Sequence, residues 1–140
     1  MAISQARGRM AFGAAFLLAP GLAARGWVGD DATRPSVKVI TRALGARDLA
    51  IGLGIVIAID RGAPVRGWLE ASALSDGVDF LATVIGGRAL PPAGRFGVIA
   101  LAAASAGVAG WLASIVDSEG DGMPGMTPEA VITGHPPEHA

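Results

Sequence analysis

Four long apolar stretches, separated by short polar segments, dominate the hydropathy pattern of the chain. They cover residues 10–28, 39–59, 68–85 and 96–116. Each is close to the ~20 residues with which an α-helix crosses the hydrocarbon core of a bilayer. The connecting segments contain Pro and Gly, which end helices, and short connections place successive helices antiparallel. The pattern predicts an all-α fold, namely a four-helix transmembrane bundle with antiparallel neighbours.

The first stretch, residues 10–28, has two interpretations. A basic start, a short apolar run and the small residues Ala23 and Ala24 are typical of a cleaved signal peptide. Pro20 interrupts the run, while Trp27 supplies an aromatic anchor for a membrane interface. Because the chain that follows is itself membrane-like, we interpret this stretch as a first membrane helix, and the signal-peptide alternative stays open.

The pattern changes abruptly after residue 116. Residues 117–140 are rich in Gly, Pro and acidic side chains and too poor in apolar residues to form a core. His135 and His139 lie in this segment without the convergent set of ligands that a metal ion requires. We therefore expect a membrane domain over residues 1–116, followed by a disordered, solvated tail with no metal site.

The composition agrees with a membrane protein. Hydrophobic residues make up 51% and charged residues 16%, with a mean hydropathy of +0.50, whereas globular proteins contain about 25% charged residues. A net charge of -1 gives no basic surface for nucleic acid. No cofactor is indicated. The predicted partners are the lipid bilayer of the inner (plasma) membrane, crossed several times, and either other membrane subunits or further copies of the chain.

The second stretch is unusual because it carries Arg42, Arg47 and Asp48. Three charges at the centre of a membrane helix cost about 8 to 10 kcal/mol, and the large aliphatic side chains offset only about 3 to 6 kcal/mol. Such a helix needs partners of opposite charge, and the third stretch supplies Asp76 and Asp79. We expect the two stretches to form a hairpin in which the arginines meet these acids.

The acids of the third stretch belong to one polar stripe. At 100 degrees per residue, four side chains project within a sector of about 60 degrees. They are Ser72, Asp76, Asp79 and Thr83. Arg42 and Arg47 point to different sides of the preceding helix, so we expect them to have different neighbours.

Two interpretations of the charged residues stay open. Buried ion pairs can fix helix register and partner choice, which makes Arg42 and Arg47 structural ion-pair candidates. Alternatively, the acids outnumber the arginines, so one carboxylate lacks a partner and would bind a proton or a ligand more readily. The candidates for such a site are Asp48, Asp76 and Asp79. No catalytic residue is predicted, since the spacing of Asp76 and Asp79 alone makes neither a metal site nor a catalytic set.

Two segments together resemble a known family. They are GARDLAIGLG at residues 45–54 and LSDGVDFLAT at residues 74–83. The pairing resembles the DUF4267-like group of small bacterial and fungal membrane proteins of unknown function. The resemblance implies a four-helix membrane protein over about residues 37–115 and no particular activity. It also implies that four residues belong together, namely Arg47, Asp48, Asp76 and Asp79.

These observations favour a non-enzymatic role. The first hypothesis is an accessory or assembly subunit of the membrane, in which the Arg and Asp network joins the second and third helices. The alternative is a small proton-coupled transporter or a small-ligand-binding membrane protein centred on the same carboxylates. Basic residues are spread over both sides of the predicted spans, so the positive-inside rule does not decide the orientation.

Overall fold

A computed structural model of the protein describes residues 1–120. The helices in chain order are α1 (Ala2–Leu18), α2 (Pro20–Ala23), α3 (Arg25–Val28), α4 (Pro35–Asp60), α5 (Arg66–Ile85) and α6 (Pro92–Gly120). Two 3₁₀ turns lie at Gly29–Thr33 and Gly87–Ala89. Residues 1–120 contain no strand, so the prediction of an all-α fold is confirmed for this part of the chain.

Proline and glycine set several helix boundaries. α1 ends at Leu18 and Pro20 begins the next helical turn, because proline has no N–H to continue the hydrogen-bond ladder. Pro35 lies in the first turn of α4, where its fixed φ suits the helix. Gly29 and Gly62 follow helix ends with φ of 64° and 63°, a left-handed conformation that glycine adopts without strain.

The ends of α1 and α6 differ from the sequence-based predictions. α1 begins at Ala2 rather than at residue 10 and ends at Leu18 rather than at residue 28, so the basic first segment is part of a helix and the predicted first span is broken at Ala19. α6 continues to Gly120, past the predicted end at residue 116. The rest of the predicted disordered tail, including His135 and His139, lies outside the described residues.

The bundle consists of two helix pairs. α4 packs most extensively against α1, and α5 packs most extensively against α6. α4 and α5 are joined by a short turn, but they contact each other far less than either contacts its main neighbour. The predicted hairpin of α4 and α5 is therefore present as two connected helices, but each of them packs mainly against another helix.

Glycines bring α1 and α4 into backbone contact. A Cβ built on Gly13 would lie 2.6 Å from the carbonyl oxygen of Gly45 and 2.7 Å from the amide nitrogen of Leu49. A Cβ on Gly52 would lie 2.6 Å from Cγ of Met10. Small residues at such a crossing let two helix backbones approach closely. The two helices run antiparallel, since higher numbers in α4 meet lower numbers in α1.

Contacts at both ends of the bundle connect the α5–α6 pair to the rest of the fold. At the end near the α4–α5 turn, an apolar cluster draws on all four long helices. Its buried members are Ala6, Ile51, Ile55, Leu69, Leu112 and Ala113. At the other end, Gly94 of α6 lies directly against the carbonyl oxygens of Gly26 and Trp27. The charged residues lie between these two contacts.

Large apolar side chains are abundant on the outside of the bundle. Leu18, Leu22, Leu74 and Ile85 are among the most exposed. The segment Pro92–Val116 of α6 is long and apolar enough to cross a membrane, with a mean hydropathy of 1.9 and 22% of its most apolar window buried. By length and composition alone, it is the one such helix within residues 1–120.

Candidate functional site

Arg9 of α1 joins three helices through a buried ion-pair network. Its Nη1 donates to Oδ1 of Asp48 at 2.6 Å, and its Nη2 donates to Oδ1 of Asp76. Nη2 also lies 3.5 Å from the carbonyl oxygen of Ser72. Arg9, Asp48 and Asp76 are 8%, 7% and 7% exposed. A guanidinium in this position holds both helix pairs together, because Asp48 belongs to one pair and Asp76 to the other.

Arg47 of α4 forms the second ion pair across the same boundary. Its Nη1 and Nη2 donate to the two carboxylate oxygens of Asp79 at 3.1 and 2.7 Å. This two-pronged arrangement is the strong form of an arginine–carboxylate pair. Nη2 also donates to Oδ1 of Asp48 at 3.2 Å. Asp48 Oδ1 therefore accepts hydrogen bonds from both arginines and couples the two ion pairs.

The network carries more negative than positive charge. Two arginines face three aspartates in it, so with all five groups ionised one negative charge is uncompensated. Among the residues that the structure describes, Oδ2 of Asp76 is buried and has no hydrogen-bond partner. Buried polar atoms are normally paired, so this oxygen keeps an unused capacity to accept a hydrogen bond.

A cavity of about 550 Å³ lies beside the network. Its size falls in the range of about 300 to 1,000 Å³ typical of small-molecule sites. The five charged residues form part of its wall, and the remainder is largely apolar. The larger apolar side chains lining it are Phe12, Phe16, Trp27, Leu44, Val98 and Leu101. All four long helices contribute to the lining, so the cavity lies where the helix pairs meet.

Other residues that line the cavity carry buried polar atoms that lack hydrogen-bond partners within residues 1–120. They are both amide atoms of Gln5, Nε1 of Trp27 and Nε of Arg47, in addition to Oδ2 of Asp76. The set includes N–H donors and oxygen acceptors. An apolar cavity with a few convergent polar groups is the usual form of a ligand site.

The predicted site residues are brought together with one exception. Arg47, Asp48, Asp76 and Asp79 all lie in the network, whereas Arg42 is exposed and its Nε donates to the carbonyl oxygen of Leu17 at 3.3 Å. The prediction that Arg42 pairs with an acid is thus corrected. The reason is that Arg42 lies near the start of α4, beside the last turn of α1. Carbonyl oxygens in the last turn of a helix have no partner within that helix, and Arg42 donates to one of them.

Arg9 is the functional residue that sequence reasoning missed. The buried residues of α1 are Ala6, Arg9, Gly13 and Phe16, which follow the three- and four-residue spacing of one helical face. This spacing is visible in the sequence once the basic segment is included in the helix. The polar stripe of α5 faces inward on one side of the helix, as its spacing predicted. Its members Ser72, Asp76 and Thr83 are buried.

Comparison with known proteins gives no assignment. No family model, curated protein or solved structure matches the chain. The resemblance to the DUF4267-like group therefore stays a prediction, and the function is inferred from the geometry of the site.

Proposed function

We propose that this protein is a small polytopic integral membrane protein that binds a small, largely apolar molecule between its two helix pairs. The observation that supports this most is the cavity, whose largely apolar lining includes charged residues and residues with unpartnered polar atoms. Ion pairs that served only to fix helix register would be expected to lie against well-packed neighbours. The alternative role as an accessory subunit has less support, because the exposed face of α6 suits lipid as well as a partner helix.

The membrane setting is supported by the way in which the charges are compensated. The four long helices have 17, 26, 20 and 29 residues, which are sufficient to cross a bilayer. α1, α4 and α5 carry the charged residues of the network, and these charges lower the mean hydropathy of the three helices. In the folded bundle these charges face one another, as is usual for ionisable residues inside membranes. These features support the proposal that the protein crosses the inner (plasma) membrane several times.

Cysteine labelling tests this placement directly, because the chain has no native cysteine. We expect a maleimide reagent to label Ala63→Cys, in the α4–α5 turn, in membranes opened by sonication. Leu74→Cys, in the middle of α5, should react only after detergent is added, although Leu74 is 72% exposed on the protein surface. Equal labelling of both variants in intact bilayers would show that α5 faces water and would refute the proposed spans.

A pair of glycine substitutions on α6 tests the cavity. Gly97 lines the cavity and Gly107 does not, and a Cβ at either position would meet nothing within 4 Å. We expect Gly97→Leu to reduce binding of the neutral fluorescent probe 1-aminoanthracene at least tenfold, because the new side chain occupies ligand space. Gly107→Leu, the matched control, should bind the probe like the wild type. No probe binding by the wild type, or equal binding by all three proteins, would contradict the proposed function.

A further inference from the structure

We infer that the cavity selects a monocationic amine, that is, a small organic ammonium or amidinium with an apolar body. This ligand class rests on the proposed binding function and follows from the charge of the wall. The two arginines and three aspartates leave one uncompensated negative charge next to the cavity. A buried charge without a counterion is expensive, and a ligand carrying one positive charge would neutralise it. Neutral and anionic ligands of the same shape would leave this charge uncompensated.

Asp76 is the residue that would receive the cation. It lines the cavity and is 7% exposed, and its Oδ2 has no hydrogen-bond partner among residues 1–120. Its Oδ1 is already bound by Arg9. Oε1 of Gln5, a residue of α1 that also lines the cavity, is a second buried acceptor without a partner. An ammonium group has several N–H donors and needs such oxygen acceptors nearby.

The distribution of the carboxylate oxygens favours an organic cation over a metal ion. Hard cations such as Ca²⁺ take six to eight oxygen ligands, and Mg²⁺ requires an octahedral set. Both oxygens of Asp79 and one oxygen each of Asp48 and Asp76 are already engaged by arginines. No group of His, Cys, Asp and Glu that could hold a metal ion is present in the described part of the chain.

Aromatic rings line the cavity beside the charged wall. Phe12 and Phe16 have ring centroids 4.4 Å apart, and both rings line the cavity together with Trp27. Ring faces attract organic cations and also bury an apolar body. The unpartnered N–H groups of Trp27 and Arg47 would accommodate a hydroxyl or carbonyl oxygen on the same ligand. The wall therefore matches a compact amine with an apolar, in part aromatic, body.

A charge series measured on the purified full-length chain in a neutral detergent tests this specificity. Benzylamine, benzyl alcohol and benzoate have similar size and carry positive, zero and negative charge at pH 7. We expect benzylamine to displace 1-aminoanthracene at a concentration at least tenfold lower than benzyl alcohol, with benzoate weakest. Equal displacement by benzylamine and benzyl alcohol, or stronger displacement by benzoate, would overturn the inference while leaving the proposed function intact. Failure of 1-aminoanthracene itself to bind would instead refute the proposed function.

Substitutions on α5 test whether Asp76 is responsible for the preference for benzylamine. Asp76→Asn should reduce the preference for benzylamine over benzyl alcohol to less than threefold and still bind 1-aminoanthracene. Glu70→Gln, an exposed position on the same helix that pairs with Arg66, is the matched control and should keep the wild-type preference. If Asp76→Asn does not fold, Gln5→Leu removes the second acceptor without touching the ion pairs and should lower the preference severalfold. An unchanged preference in a folded Asp76→Asn protein would refute the assignment to Asp76.

Discussion

Replacing Arg9 with methionine is expected to lower the free energy of unfolding by about 3 to 5 kcal/mol, the usual effect of removing one partner from a buried ion pair. The loss is large because Arg9 is the cation shared by Asp48 and Asp76. Without it, the two carboxylates remain buried with only Arg47 nearby. The measurement is the shift of the thermal unfolding midpoint of the purified protein in detergent, read by circular dichroism.

The control for Arg9 is Arg42→Met, which removes the same charge from an exposed arginine. Its single hydrogen bond to the carbonyl oxygen of Leu17 is 3.3 Å long, so the expected loss is within about 0.5 kcal/mol, typical of surface substitutions. Adding Asp76→Asn to Arg9→Met should recover part of the stability, because it removes one of the uncompensated charges. Equal losses from Arg9→Met and Arg42→Met would show that the network does not hold the helix pairs together.

Gly13→Ala is expected to destabilise the protein by about 1 to 3 kcal/mol, the range found for overpacked contacts. The new methyl group would lie 2.6 Å from the carbonyl oxygen of Gly45 and 2.7 Å from the amide nitrogen of Leu49. These obstacles are backbone atoms, which cannot rotate away, so α1 and α4 must separate. The separation also moves Asp48, and binding of 1-aminoanthracene should therefore weaken along with the unfolding midpoint.

Gly8→Ala is the matched control on the same helix, because a Cβ at Gly8 would meet nothing within 4 Å. Alanine is favoured over glycine in a helix interior by about 1 kcal/mol. Gly8→Ala should therefore leave the unfolding midpoint unchanged or raise it, opposite in sign to Gly13→Ala. A stabilising effect of both substitutions would show that the helices do not approach as closely as the structure describes.

Much of the helical pattern can be predicted from the sequence. Runs of apolar residues mark the helices. The prolines at positions 20 and 35 mark the breaks between them, because proline has no N–H for the helical hydrogen-bond ladder. The grouping of Arg47 with Asp76 and Asp79 also follows from local information. Helical spacing places the acids on one face, and the energetic penalty for isolated charges requires them to find partners.

The pairing of the helices and the cavity could not be predicted in the same way. Whether α4 packs on α1 or on α5 depends on the close contact of Gly13 with Gly45, and nothing local distinguishes those glycines from the exposed Gly107. Arg9 was missed because a basic segment before an apolar run is typical of a solvated terminus. The cavity arises from the separation of two helix pairs between their contacts at either end, which is a property of the whole bundle.

The long sequence separation within the Arg9 network affects the order in which the protein can assemble. Asp48 follows Arg9 by 39 residues and Asp76 follows it by 67. At the usual rate of about 5 to 20 residues per second, Asp76 is synthesised roughly 3 to 13 s after Arg9. Arg47 and Asp48 emerge together, but Arg9 must be solvated by other groups until both acids arrive. Arg9, on the first long helix to be synthesised, therefore waits longer for its partners than Arg47, whose partner Asp79 follows it by 32 residues.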